Sequence, residues 1–320
     1  MKILITGVHG FVGSNLVNAL KGEHIIYGLD IVSPLKDGVK FTFSWDDLEN
    51  GCQIPEVDSI IHLAGKAHDT KNLAVAETYF KVNTDLTKKV FDWYLARPKC
   101  KKFVFFSTAK AAADKVDGVL TEDVVPAPVG PYGESKIKAE EYILSRIGEL
   151  ENASTGSATK QVYIFRPCMI HGPGNKGNLN LLYNVVKKGL PWPLGAFENR
   201  RTFTSVENIC FAVNGVLTMD VPSGIYNMGD DEALSTNELI EEICKSLGKK
   251  AHIWKLPKGI MTGCAKVGGI LHLPLNPERL RKLTESYISS NDKIKKALGI
   301  EKMPVDAKNG LQATLKSFRS

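Results

Sequence analysis

The chain has 320 residues, 43% of them hydrophobic and 24% charged, with a formal net charge of +6. That length suits two domains, or one with a sizeable appendage, and no apolar run approaches the ~18 residues of a membrane span. The lysines and arginines are dispersed without an aromatic-interleaved stripe, which argues against nucleic acid, and the mild positive excess suits a phosphorylated small substrate. Six scattered cysteines form no CxxC pair and no metal-ligand spacing with histidine, so free thiols and no metal are expected.

Ile3 to Thr6 reads as a short buried strand beginning close to residue 2, which leaves no room for a signal peptide and makes a cytoplasmic location without a membrane partner the expectation. Gly7, Gly10 and Gly13 follow, and Phe11, Val12, Leu16, Val17 and Leu20 recur at helical spacing. In a strand–turn–helix of this kind the glycines allow a tight turn, a close approach to a ligand and close packing of helix on strand. The helix N-terminus then faces a pyrophosphate. A second apolar run, His24 to Leu29, ends in Asp30, where a carboxylate accepts from the ribose hydroxyls of a dinucleotide.

Val39 to Phe43 reads as a further strand, and 44–55 as polar and irregular. Val57 to Gly65 is a buried strand ending in a small-residue turn, 73–95 a helix stopped by Pro98, and Phe103 to Thr108 another buried strand. Strands alternating with helices predict an α/β fold, a doubly wound parallel sheet of the dinucleotide-binding type, with ligands beyond the carboxyl ends of the strands. Gly7, Asp30, Ala64-Gly65 and Ser107-Thr108 all fall at such ends. A Pro- and Gly-rich loop over 114–131 leads to a helix over 132–148 and a strand over 161–165. Beyond about 170 the alternation dissolves. Helices are expected over 178–188, 206–219, 236–247 and near 257–270, 291–298 and 305–318, with a strand over 225–228. The expected division is a dinucleotide-binding domain over 1–170 and a smaller C-terminal α/β substrate domain over 171–320.

Tyr132 and Lys136 are four apart on a predicted helix and share a face. A tyrosine is a poor base at neutral pH, and a neighbouring ammonium is expected to lower its pKa. The same lysine can reach the cofactor ribose, and Thr108 at the preceding strand end can bond the substrate oxygen that Tyr132 protonates or deprotonates. Thr108, Tyr132 and Lys136 together read as a proton-transfer site beside a hydride carrier.

Thr6-Gly7-Val8-His9-Gly10-Phe11-Val12-Gly13, Asp58 with His62-Leu63-Ala64-Gly65, Asn83, Ser107-Thr108 and Tyr132 to Lys136 resemble the extended short-chain dehydrogenase/reductase superfamily. More narrowly, they resemble its NAD-dependent sugar-nucleotide epimerase/dehydratase family. The likeness continues through Arg166-Pro167, Gly172-Pro173-Gly174, Arg200-Arg201 and Tyr226 to Gly229, and is nearest to UDP-glucose 4-epimerase-like enzymes and 4-ketoreductases of polysaccharide synthesis. It implies a Rossmann domain to which a segment near 202–222 returns, closed by a C-terminal cap over a UDP-sugar. It also implies NAD, in preference to NADP, bound by Gly7, Gly10, Phe11, Val12, Gly13, Asp30, Ile31, Leu63, Ala64, Gly65, Asn83, Tyr132 and Lys136. Substrate contacts are expected from Lys66, Thr108, Asn178, Arg201 and Arg279, with Arg281 a further candidate and His68 facing the sugar or solvent.

Departures from the family pattern are informative. Ala109-Lys110 replace the Asp-Glu that 4,6-dehydratases carry after the threonine, which argues against dehydration. Met169 stands for a common asparagine and His171 for a common tyrosine, the histidine being expected to pack rather than react. Three functions stay open: 4-epimerase of a UDP-hexose or UDP-N-acetylhexosamine, NAD(P)H-dependent 4-ketoreductase of a UDP-4-keto-6-deoxy sugar, and a non-catalytic dinucleotide sensor or scaffold. A homodimer is expected through the helices over 73–95 and 132–147, carried by Val75, Val82, Val90 and Trp93 on one and Ile137, Tyr142, Ile143 and Ile147 on the other.

Overall fold

Strand β1, Lys2–Thr6, sends Ile3 and Ile5 to one face of a sheet and Leu4 to the other, as the two-residue period of a strand requires. The computed structural model describes residues 1–50, 54–67, 75–153, 160–175, 177–271 and 275–319. The chain continues through α1 (Phe11–Leu20), β2 (Ile25–Leu29), β3 (Val39–Phe43), α2 (Trp45–Glu49), β4 (Ser59–His62) and α3 (Ala76–Tyr79). A π-helical turn, Phe80–Asp85, joins α3 to α4 (Leu86–Leu95). Then come β5 (Lys102–Phe106), α5 (Ala109–Ala112), β6 (Val119–Leu120), α6 (Pro131–Ala153), β7 (Gln161–Pro167), β8 (Met169–His171) and α7 (Asn178–Lys187). The last part comprises β9 (Phe203–Ser205), α8 (Val206–Thr218), β10 (Gly224–Met228), α9 (Thr236–Ser246), α10 (Lys258–Ile270), α11 (Pro277–Thr284), β11 (Ile288–Ser289), α12 (Asp292–Leu298) and α13 (Ala307–Ser317).

Seven strands form one sheet in the order β10-β7-β5-β4-β1-β2-β3, every pair parallel. The order reverses between β1 and β4, which opens a crevice at their carboxyl ends. One face is covered by α1, α8 and α12, through Leu16, Val17, Val213, Val216 and Leu298. The other is covered by α4 and α6, through Val90, Phe91, Ala139 and Ile143. The strand Gly224–Met228 thus joins the first sheet from well beyond residue 170. A third core, with Tyr183, Trp192, Ile243, Met261 and Leu315, holds the C-terminal helices together. Two small parallel pairs, β8–β9 and β6–β11, form the other sheets of the described residues.

The structure departs from the sequence reading in several places. The stretch read as irregular contains α2, opened by a capping box in which Ser44 and Asp47 bond each other's backbone. The helix expected over 73–95 is described from Ala76. Its centre is the π turn, where adjacent Asn83 and Thr84 both turn inward to bond Ser135. Helix α11, with Asn276 as N-cap and Pro277 at its start, and strands β6 and β11 were not expected. Val90, Ile137 and Ile143, expected at a dimer contact, are buried within the chain, whereas Val75 is exposed.

Candidate active site

The site begins at the turn after β1. Gly7 has φ +69°, and a Cβ there would meet the Ala64 nitrogen at 3.0 Å. A Cβ on Gly13 would stand 2.3 Å from the Gly7 carbonyl oxygen, so only glycine lets α1 pack directly behind the turn. Helix α1 has no side-chain cap at Gly10, which leaves its N-terminus to face a ligand. Asn15 ties this helix to the opposite wall by donating to the Pro173 carbonyl at 3.1 Å.

A buried polar chain braces the turn from below. Thr87 donates to the Asn83 carbonyl at 2.7 Å, so the His62 Nε2–H donates to Thr87 Oγ1 at 2.9 Å. His62 Nδ1 then accepts from Thr6 Oγ1 at 2.7 Å, and Thr6 Oγ1 accepts from the Ala64 N–H at 3.0 Å. This arrangement needs a neutral imidazole, and burial, aided by the Lys136 ammonium, pushes the His62 pKa down to about 3.

Thr108 is the N-cap of α5, its hydroxyl accepting from the Lys110 N–H at 3.3 Å. The Tyr132 phenol hydrogen-bonds the Thr108 side chain, and the Tyr79 ring packs edge-on with centroids 6.3 Å apart. Burial raises the phenol pKa and the Thr108 bond opposes the rise. The expected lowering by Lys136 is therefore corrected for the protein alone, in which Tyr132 is the protonated partner. The Lys136 ammonium instead donates to the Phe106 carbonyl at 2.8 Å. Burial pushes Lys136 down to about 8, with Glu140, one turn on, opposing.

Glu140 was not foreseen. It is fully buried and accepts from Arg166 Nη2 at 2.6 Å, from Arg166 Nε at 3.1 Å and from the Ser107 hydroxyl. Its position four residues after Lys136 on α6 was the available signal; Arg166 and Ser107 reach it only through the sheet.

These parts surround one cavity of ≈ 820 Å³. Gly7, Gly10, Phe11, Val12, Gly13, Leu63, Gly65, Thr108, Tyr132, Lys136, Asn178 and Arg201 all line it. Other expected residues stand elsewhere. The Asp30 carboxylate, at the end of β2, accepts from the His9 N–H at 2.9 Å and the Ile31 N–H at 2.7 Å, and Ile31 itself is exposed. Ala64 packs beneath the Gly7 turn rather than lining the cavity. Asn83 accepts from the Lys66 N–H at 2.7 Å and donates to the Lys66 carbonyl at 3.0 Å and to Ser135 at 3.0 Å, so it fixes the turn after β4 instead of facing the cavity. The Lys66 ammonium lies over the Tyr79 ring, 5.8 Å from its centroid. Arg279 is on the exposed side of α11 and does not line the cavity, because the inward position of that helix belongs to Leu280. Arg281 pairs with Asp114 at 3.3 Å, outside the lining. His68 lies outside the described residues. His171 is buried, bonded to Thr314 at 2.9 Å and 3.5 Å from the Asp230 carboxylate, a packing position as expected.

The lining also includes Lys110 and Cys168, to which the sequence reading assigned no contact with cofactor or substrate. Lys110 donates to the Asp114 carbonyl at 2.6 Å and carboxylate at 2.9 Å, and sits 4.7 Å from the centroid of the Tyr287 ring. Cys168 lines the cavity too, its thiol pushed up to about 12 by burial. Arg201 is held by backbone bridges to Leu234 and Tyr287, and its guanidinium donates to the Lys282 carbonyl.

The model of the NAD dependent epimerase/dehydratase family matches residues 3–229. The chain belongs to this family. It is an enzyme of the sugar-nucleotide epimerase/dehydratase group, whose members and structural neighbours bind NAD. It is 31% identical over 291 residues to a UDP-glucose 4-epimerase of Vibrio cholerae, covering 84% of this chain and 82% of that one. Relatives at 24–25% identity include a dTDP-glucose 4,6-dehydratase of Streptomyces niveus and a dTDP-4-dehydro-6-deoxyglucose reductase of Escherichia coli. In fold it is similar to the UDP-N-acetylglucosamine 4-epimerase of Bacillus cereus, with a TM-score of 0.77, 20% identity and 100% of both chains covered. It is also similar to MoeE5 in complex with UDP-glucose and NAD, with a TM-score of 0.76, 21% identity, and 100% of this chain and 99% of that one covered.

Proposed function

We propose that this enzyme is a 4-epimerase of a UDP-hexose or UDP-N-acetylhexosamine. The observation that carries the reading is the meeting of Thr108, Tyr132 and Lys136 with the glycine turn in one cavity, beside a neutral Ala109 and a Lys110 that offer no acid–base pair for dehydration. NAD fits the cradle on the open N-terminus of α1, Gly7, Gly13 and the Asp30 carboxylate, and supplies hydride chemistry when bound. Asp30 favours NAD over NADP by repelling a 2′-phosphate, and titration of both cofactors reads this preference.

Tyr132 moves the proton at the sugar O4, and Thr108 holds that oxygen through its hydroxyl. Lys136, held by the Phe106 carbonyl at the cavity, would hold a ribose hydroxyl of the cofactor. Helix α7 has no side-chain cap at Gly177, so its N-terminus, Asn178 and Arg201 form an anion cradle for the UDP diphosphate. The 4-keto sugar turns over while held by that anchor, in space left by small residues. Residues 1–170 with 202–228 serve the cofactor and the remainder the sugar nucleotide. A homodimer through the segment 75–95 and α6 uses Val75, Val82, Trp93 and Tyr142, which the fold leaves at least partly exposed; light scattering reads it.

The test supplies UDP-hexoses and UDP-N-acetylhexosamines with catalytic NAD and follows C4 stereochemistry by NMR. Interconversion is expected. Stoichiometric NAD(P)H consumption on a UDP-4-keto-6-deoxy sugar, with no interconversion, would establish the 4-ketoreductase instead, a reading that the resemblance to reductases keeps second.

A further inference from the structure

Helix α10 is apolar on both sides, but the fold covers only one. Met261, Ala265 and Gly268 are buried, whereas Ile260 is 57% exposed, Val267 53% and Ile270 77%. A globular helix of this composition is expected to be covered all round. Outside the helix, Trp254 is 54% exposed and Leu190 61% exposed, on two stretches that run side by side, 190–195 and 252–255. There Trp192 N–H donates to the His252 carbonyl at 2.8 Å and Trp254 N–H to the Trp192 carbonyl at 2.8 Å.

The stretches that carry these exposed residues are basic. Residues 249–277 contain Lys249, Lys250, Lys255, Lys258 and Lys266 and no Asp or Glu, and 178–197 add Lys187 and Lys188 with no acid. The two stretches are joined by Lys249, whose ammonium donates to the Lys187 carbonyl at 2.8 Å. The next acid along the sequence, Glu278, is already paired with Lys282.

We propose that this face, the outer side of α10 with Trp254 and Leu190, docks the enzyme on an anionic phospholipid surface. An apolar stripe rimmed by lysines with a tryptophan at its edge is the build of an interfacial helix: the apolar side chains enter the acyl boundary and the lysines meet headgroup phosphates. The proposed contact needs no span, and no helix among the described residues is long and apolar enough to cross a bilayer. A second copy of the chain is a poor occupant, because an isologous contact sets this lysine-rich face against itself. Helix α7 links the face to the catalytic cavity, running about 15 Å from Asn178 at the cavity to Lys187 at the face. The docking does not depend on which sugar the enzyme uses.

The test is flotation of the full chain with vesicles of phosphatidylcholine alone and of phosphatidylcholine mixed with phosphatidylglycerol. Binding to the mixed vesicles, weakened by salt, is expected. Lys258→Gln and Lys266→Gln should each weaken it about 5-fold, and Ile260→Ser with Ile270→Ser should remove it, with the melting temperature of each variant showing an intact fold. No binding to mixed vesicles at low ionic strength overturns the proposal. So does binding that ignores both sets of substitutions in folded variants. Concentration-dependent self-association abolished by the same substitutions, without vesicle binding, would reassign the face to a second copy.

Discussion

The cavity has two walls of different build. The cofactor wall is made from the carboxyl ends of neighbouring parallel strands, β1, β4 and β5, each followed closely by the residue it delivers: Gly7, Gly65, Thr108. The cap wall is assembled from distant pieces. Arg201 reaches its place through bridges to Leu234 and Tyr287, and strand β6 finds its partner β11 across more than half the chain. The first wall is rigid because its backbone is part of a sheet buried on both faces. The second is held by short pairs and side-chain bonds, so its tolerance of change should be greater and its effects more local.

The comparison is tested most severely on the cofactor wall. Tyr132→Phe should lower turnover by ~10²-fold or more, the loss expected of a removed general acid or base, with cofactor binding nearly unchanged because the ring still packs. Steady-state turnover and a cofactor titration measure the two together, and near-wild-type turnover contradicts the role. Next, Glu140→Ala should cost ~3–5 kcal/mol of stability by leaving Arg166 charged and unpaired in the interior. Urea unfolding measures it, and a loss below 1 kcal/mol would mean that the wall does not depend on this pair.

A smaller effect comes from His62. Its folded pKa is depressed to about 3 whereas the unfolded value is ordinary, so below the unfolded pKa the unfolded chain binds the extra proton. The contribution of the neutral brace is therefore complete above about pH 6.5 and falls as the pH drops through the window toward 3, by roughly 2 kcal/mol at pH 5. His62→Asn should flatten this part of the stability–pH profile; an unchanged slope would assign acid loss to other groups. The smallest effect is expected beyond the cap wall. Asn276 caps α11 by accepting from the Arg279 N–H at 2.8 Å, and Asn276→Ala should cost only ~1 kcal/mol and leave turnover unaltered. A large loss of activity there would show the two regions to be more tightly coupled than their packing suggests.

The amino-acid sequence by itself determined the strand–turn–helix at the N-terminus, the parallel sheet and the pairing of Tyr132 with Lys136 on one helix. Each depends on neighbours in the chain: a two-residue period in Ile3 to Thr6, glycines where a side chain would collide, a four-residue spacing on α6. Capping signals at Ser44 and Asn276 were equally local and legible, and went unused in the sequence reading. Only the tertiary structure decided that Asn83 fixes a turn instead of facing the cavity, that Arg201 rather than Arg279 faces the cavity, and that Glu140, Arg166 and Ser107 converge. Such outcomes depend on which side chains meet across sheet and helix, and on burial, which raises the Tyr132 phenol where sequence spacing alone suggested that Lys136 would lower it. Spacing along one helix specifies direction, but desolvation is set by everything that packs around the group, and that environment exists only once the chain has closed.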